Sequence, residues 1–354
     1  MKNKLLILVF IIYISTFSVL SIIIPDKEIS NTERRRLNTF PTFEYNSKWI
    51  NKLDKYFLDH FVLREQFRNI KAKYNYEILN KLENNDIYLK DNYIFKSNYP
   101  TNKKSINNFK SKIKELSSLL TENNTIYMMV IPDKNYYLES NEFLSIDYDY
   151  LYEEINNLEY QMIDIRNVLN LYDYYKTDTH WKQENLNKVI KEMSKFLNFT
   201  YEDIVYTKNT YNNFYGVYYG ESAINRNPEK LVYLTNDLLN NVKIKYLENS
   251  NLNTIYNIDK LTGLDSYDVY LDGASSFIEI TNNNTTSTKE LVIFRDSFGS
   301  SISPLLVNYY HKITLIDNRY ITSNNFKNLI NFNNQDILFM YSTLLINDSS
   351  SLKG

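Results

Sequence analysis

The chain has 354 residues, enough for one large domain or two small ones, and its 40 basic and 42 acidic residues leave a net charge of -2. That balance lacks the basic excess of a nucleic-acid binder. Cysteine is absent, which excludes disulfides, cysteine-ligated metals and a thiol nucleophile.

Lys2 and Lys4 precede an uncharged run from Leu5 to Ile24, closed by Pro25. At 1.5 Å per residue such a run spans about 30 Å, the thickness of a hydrocarbon core. No Ala-x-Ala cleavage pattern follows it, although Ser18 and Ser21 are small. Residues 1–24 are therefore expected to be an uncleaved signal anchor, a transmembrane helix with the rest of the chain outside the cytoplasm. Flanking charge does not fix that orientation, because Lys27 and Arg34 to Arg36 outnumber the two leading lysines. Residues 25–85 read as a polar linker with Pro25 and Pro41, then N-terminal helices. Trp49, Ile50, Leu53, Phe57 and Leu58 recur at three- and four-residue spacing, as do Phe61, Val62, Phe67, Ile70, Tyr74 and Ile78. They predict two helices broken near Asp59-His60.

A further domain is expected over residues 86–354. Ile87 to Phe95 predicts a hairpin around Lys90-Asp91-Asn92. A helix over 104–120 follows, then a buried strand from Ile126 to Ile131 closed by Pro132-Asp133-Lys134. Gln161 to Val168 reads as another short strand and Gln183 to Leu197 as a helix. Leu291–Phe294, Ile313–Ile316 and Ile337–Tyr341 are short apolar runs, with a polar loop at Thr281–Thr288. Strands alternating with helices predict an α/β domain whose mainly parallel sheet is covered on both faces. The ligand site of such a sheet lies beyond the carboxyl ends of its strands.

Two segments carry the chemistry: Asp178-Thr179-His180-Trp181, and Arg295-Asp296-Ser297-Phe298. Ser297 follows an apolar strand and precedes a helix opened by Phe298-Gly299, where backbone N–H groups can hold an oxyanion. A serine needs a base to take its proton. His180 can be that base, with Asp178, two residues away, fixing its tautomer. The other reading makes Asp178 a helix N-cap and His180 a surface residue. His60 and His311, the remaining two of three histidines, are read as structural. Trp181 suits either stacking on a sugar ring or packing at a helix start. Arg295 suits an anionic group or a neighbouring carboxylate. A metal at Asp178 and His180 is the weaker idea, since no second His and no Cys stands near; no metal or cofactor is expected.

These two stand in a longer series of segments: Arg34-Arg35-Arg36-Leu37 with Pro41, Tyr56 to Arg64, Ile131-Pro132-Asp133-Lys134, Tyr174 to Trp181, Phe214-Tyr215-Gly216, Tyr267 to Gly273, Asp296-Ser297-Phe298 and Ile316 to Tyr320. In this order and spacing, over nearly the whole chain, they resemble the DHHW family, Gram-positive relatives of the alginate O-acetylation proteins of the AlgX/AlgJ type. The resemblance implies an SGNH-hydrolase-like three-layer α/β/α domain behind an N-terminal transmembrane helix. It also implies an extracytoplasmic O-acetyltransferase acting on a cell-surface or secreted polysaccharide. Ser297 would be the nucleophile, His180 the base and Asp178 its partner. The Ser297 N–H, with Gly216 as a second donor, would form the oxyanion hole, and Trp181, Arg295 and Arg319 would contact substrate. The implied partners are a glycan acceptor and a membrane-bound O-acyltransferase supplying acetyl groups. An esterase with the same triad, or a non-catalytic glycan-binding scaffold, are the alternatives. Two positions depart from the family pattern: Thr179 replaces the first His of Asp-His-His-Trp, and Ala274 stands where relatives often carry Asn.

Overall fold

The computed structural model describes residues 2–138 and 143–353. The chain divides into two units, residues 1–87 with 219–226, and residues 88–218 with 227–354.

In the first unit the apolar run forms α1 (Lys2–Ile23), long and apolar enough to cross a membrane. Asn46 caps α2 (Ser47–His60) by accepting from the Trp49 N–H. α3 (Arg64–Lys73) follows after a break at Leu63, whose φ of 59° is left-handed and ends the helical path. Charge locks this break. Asp59 accepts from the Arg35 guanidinium at 3.0 and 2.5 Å and from the Asn38 N–H at 2.9 Å. Glu33 pairs with Arg64 at 2.7 Å and Arg68 at 3.4 Å. The Arg35 hydrogen bonds hold the Asp59 carboxyl well below the usual range; burial opposes them and Asn38 assists them. His60 completes the knot, with Nε2 2.8 Å from the Asn38 carbonyl. Residues 219–226 belong here because Arg68 donates to the Gly220 carbonyl and Asn69 to that of Ala223.

The second unit opens with a hairpin, β1 (Ile87–Lys90) and β2 (Tyr93–Lys96), whose turn residues Asp91 and Asn92 both have positive φ. Its frame is a seven-stranded sheet. The strands are β3 (Thr125–Ile131), β4 (Gln161–Met162), β7 (Lys243–Tyr246), β8 (Phe277–Thr281), β9 (Glu290–Arg295), β10 (Lys312–Ile316) and β11 (Asp336–Ser342). A separate antiparallel ribbon pairs β5 (Thr207–Phe214) with β6 (Glu229–Thr235). The sheet order is β7-β8-β10-β9-β11-β3-β4. β10, β9, β11, β3 and β4 run parallel, while β8 and β7 are added antiparallel at one edge.

Side chains alternate across the sheet, so each strand feeds two cores. Val292, Phe294, Ile337 and Phe339 face one layer with α4 (Lys103–Ser117) and α5 (Tyr148–Asn156). Leu291, Ile293, Leu338 and Met340 face the other, with α6 (Asn187–Met193) and α7 (Gly299–Leu306). Burial on both faces is why these strands read as unbroken apolar runs. The result is a three-layer α/β/α unit. The segment from Gln161 differs from its expected length: only Gln161 and Met162 pair, and the chain then leaves the sheet. From β9 the chain passes through α7 to β10 on one side, then returns to β11 on the other. That reversal beside β9 is where such sheets bind ligands.

The Asp59 knot generates a prediction. Asp59→Ala leaves Arg35 and Asn38 without their shared acceptor and should lower the stability of the first unit by about 2 kcal/mol at neutral pH. A depressed carboxyl contributes above its unfolded pKa of about 3.9 and loses that contribution as pH falls. Melts of wild type and variant should therefore converge in acid.

Candidate active site

Residues 174–181 form a loop folded back on itself, with a bridge between Tyr174 and Trp181 and a bond from the Tyr175 N–H to the His180 carbonyl at 3.1 Å. Two opposite charges, a buried lysine and a half-buried glutamate, hold its tip. Lys134 Nζ donates to the carbonyls of Tyr175, Lys176 and Asp178 at 3.2, 3.2 and 2.7 Å. Glu229 accepts from the N–H groups of Lys176 and Thr177, both at 2.7 Å. The Lys134 ammonium also lies 4.9 Å from the Tyr218 ring and 5.5 Å from that of Phe95. Burial pushes Lys134 down to about 7, against the pull of Asp178, Glu229 and Asp133.

Within this frame Asp178 Oδ1 accepts from His180 Nδ1 at 2.6 Å and from the His180 N–H at 3.0 Å. Oδ2 accepts from the Val217 N–H at 2.8 Å. A carboxylate only accepts, so Nδ1 carries the proton. Nε2 is then the acceptor for Ser297 Oγ–H, 2.8 Å away. Burial would raise the Asp178 carboxyl, but the charge and hydrogen bonds of His180 and the Val217 N–H hold it far below the usual range. Asp178 and His180 are buried, and Ser297 is partly open to solvent.

Ser297 sits between the end of β9 and the start of α7. Asp296 fixes this turn: Oδ1 accepts from the Phe298 N–H at 3.0 Å and Oδ2 from the Ser342 N–H of β11 at 2.8 Å. The imidazole is clamped between rings. Tyr267 stacks on His180 at 3.9 Å and 7°, and Phe298 leans on it at 4.9 Å. Tyr267 OH then donates to Ser301 Oγ at 2.8 Å. Gln183, fully buried, donates to the Ser301 carbonyl at 2.6 Å and accepts from the Leu234 N–H.

The structure brings Asp178, His180 and Ser297 together and assigns other work to the remaining expected residues. Trp181 does not face a ligand: it is fully buried, and its Nε1 donates to the Phe298 carbonyl and Ser301 Oγ. Arg295 is buried too, held by Ser300 Oγ at 2.6 Å and two backbone carbonyls. Arg319 is engaged in a bidentate pair with Asp317 at 2.9 and 2.6 Å. Gly216 is no free oxyanion donor, because its N–H bonds to Thr177 Oγ1 at 3.0 Å. What this position needs is the missing side chain. A Cβ there would meet the Thr177 carbonyl oxygen at 2.2 Å and the Asp178 nitrogen at 2.3 Å. That approach is what brings the Val217 N–H to Asp178. Thr179 takes no part in the triad; its hydroxyl is buried without a partner among the described residues. His311 bonds to the Asn282 carbonyl. Among the described residues no cluster of three or more His, Asp or Glu side chains offers a metal site.

Lys134, Gln183, Tyr267 and Val217 carry no role that spacing reveals. Lys134 and Tyr267 do lie in segments that bear the family resemblance, and that is the only signal pointing to them.

No protein-family model and no curated protein matches the chain. Solved structures do. A DHHW family protein from Eubacterium siraeum aligns with a TM-score of 0.64 and 18% identity, over 77% of this chain and 97% of its own. Bacillus cereus PatB1 aligns at 0.57 and 20% identity, over 77% and 98%. PatB1 bearing a sulfonyl adduct gives 0.57 and 22%, over 76% and 96%. The chain thus shares the SGNH-like fold of a DHHW family protein and of PatB1.

Two variants test the loop. Gly216→Ala must push Thr177 and Asp178 away, and His180 should lose its carboxylate contact, seen as loss of the Nδ1 proton resonance. Lys134→Met leaves the buried Tyr175 and Asp178 carbonyls unpaired, while that of Lys176 keeps the Ile94 N–H, and should cost about 3 kcal/mol. A depressed lysine binds fewer protons folded than unfolded between about 7 and 10.4, so wild-type stability rises with pH in that window. Denaturation series should show that rise in wild type and its absence in Lys134→Met.

Proposed function

We propose that the chain is a membrane-anchored, extracytoplasmic O-acetyltransferase acting on a cell-surface or secreted polysaccharide. The supporting observation is the unbroken relay from Asp178 through His180 to Ser297, at 2.6 and 2.8 Å. His180 Nε2 takes the Ser297 proton as Oγ attacks the acetyl carbonyl. The Ser297 N–H, at the turn into α7, is the donor for the developing oxyanion. Collapse transfers the acetyl group to Oγ, and the imidazolium returns its proton to the leaving group. A sugar hydroxyl then attacks the acyl-enzyme, its proton passing to His180; the Oγ–acetyl bond breaks as the acetyl group stays on the sugar, and His180 returns the proton to Ser297 Oγ. Asp178, kept ionised, balances the imidazolium in both halves. PatB1 forms a sulfonyl adduct, and sulfonyl groups are captured by activated nucleophiles of this kind.

The anchor reading rests on α1. One apolar span has no path for moving acetyl donors across a bilayer, so a membrane-bound O-acyltransferase partner is proposed to deliver them. Water in place of the sugar would make the same triad an esterase.

Incubation with phenylmethylsulfonyl fluoride should add one sulfonyl group at Ser297, read by peptide mass, and none in Ser297→Ala or His180→Ala. Each of those variants should lose acetyl transfer by roughly 10⁴-fold, and the double variant should be hardly worse. Asp178→Asn should be milder. Retained glycan acetylation in a folded Ser297→Ala protein would leave the scaffold reading. Acetate release without glycan transfer would leave the esterase.

Placement is tested on protoplasts. External protease should digest the chain beyond Pro25; protection would reverse the orientation.

A further inference from the structure

On α2 and α3 the buried residues are Asp59 and Ala72, and the large apolar side chains are left partly or largely exposed. On α2, Ile50 and Phe57 are 61% and 54% exposed, with Leu53 partly covered between them on the same face. On α3 and the π-helical turn that continues it (Tyr74–Ile78), Ile70, Tyr74 and Ile78 follow at helical spacing and are 61%, 48% and 66% exposed. Phe61 and Phe67 join the two rows at the break. Water-facing helices carry polar residues on that side; an apolar stripe of this width needs a cover.

The cover is indicated by α1. Phe17 of α1 stacks on Phe61 at 5.7 Å and 3° and meets Phe67 at 5.8 Å. Phe17 lies six residues before Ile23, the last residue of α1, hence about 9 Å inside the end of the apolar span. Interfacial helices sink about 5–10 Å into the boundary between headgroups and acyl chains. The α2–α3 break therefore touches α1 at the depth where that boundary must lie. Exposed Lys48, Lys52 and Lys55 on α2 and Lys71 and Lys73 on α3 have stems long enough to reach water from there.

We propose that the apolar face of α2 and α3 lies in the headgroup layer of the bilayer that α1 crosses, as a second, in-plane contact of this unit with lipid. The inference rests on the reading of α1 as an anchor. It adds that the unit next to the anchor is itself embedded rather than held in water on a flexible linker.

The chain has no cysteine, so single environment-sensitive fluorophores can be attached to full-length protein in phosphatidylcholine–phosphatidylglycerol vesicles. Labels go on Phe57→Cys, Ile70→Cys and Ile78→Cys, with Ile14→Cys marking the span. Labels at 57, 70 and 78 should be shielded from iodide and quenched roughly twofold or more by lipids spin-labelled near the headgroup. The label at 14 should answer to lipids spin-labelled near the chain ends. Ile70→Asp with Ile78→Asp, both at exposed positions, should open the label at 57 to iodide without lowering the melting temperature. If the label at 14 is in lipid but those at 57, 70 and 78 stay open to iodide, the proposal is wrong and the anchor stands. Shielding from iodide without lipid quenching means that protein covers the face, which also overturns the proposal. If the label at 14 is not in lipid, the anchor reading fails first and this inference fails with it.

Discussion

The geometry of the site depends on holding a loop without regular secondary structure by two ions of opposite sign. Lys134 takes three carbonyls of residues 175–178 and Glu229 takes two amides of residues 176–177. A backbone outside helices and sheets has no ladder to satisfy its polar groups. Here a cation and a carboxylate replace the ladder, and both act on residues flanking Asp178. They fix the path along which a carboxylate and an imidazole two residues apart turn to the same side. Gly216 then admits the third strand of contact, the Val217 N–H, that locks the carboxylate rotamer.

Ser297 is held by a different principle. It needs no ion, because β9 lies between two parallel neighbours and delivers its end to a fixed point. Asp296 ties the turn to the adjacent strand end at Ser342. A rigid strand end thus meets an ion-pinned loop, and the 2.8 Å contact between His180 and Ser297 is where they join.

This division explains what the sequence discloses. Strands with apolar residues on both faces, such as Leu291 to Phe294, are visible because burial on both sides leaves no polar positions. The ribbon strand Thr207–Phe214 is not, since Phe214 is its one fully buried residue and Lys208, Asn209, Asn212 and Asn213 mask any alternation. The antiparallel strands Lys243–Tyr246 and Phe277–Thr281, added at one side of the sheet, are short, and nothing local fixes their direction. Asp178, His180 and Ser297 are legible because their chemistry is rare in a chain with three histidines. Trp181 and Arg295 mislead because residue type suggests ligand contact, whereas burial is decided by Phe298, Ser300 and Ser301, more than a hundred residues from Trp181. Gly216 misleads because a glycine serves equally as a donor or as a gap, and Thr177 alone decides which.

Ser301 has a consequence for how such a chain can change over time. Its hydroxyl accepts from Trp181 Nε1 and Tyr267 OH and points to the Phe298 carbonyl, which uses both lone pairs and the one proton it has. Losing that oxygen strands the buried Tyr267 hydroxyl and leaves Trp181 Nε1 with the Phe298 carbonyl alone, while losing either donor leaves the others in place with a hole. Positions 181, 267 and 301 are therefore bound into one inherited unit across three distant stretches of chain. Lineages that keep the triad but drift elsewhere should keep these three together, and a lineage that abandons one should abandon its companions in step.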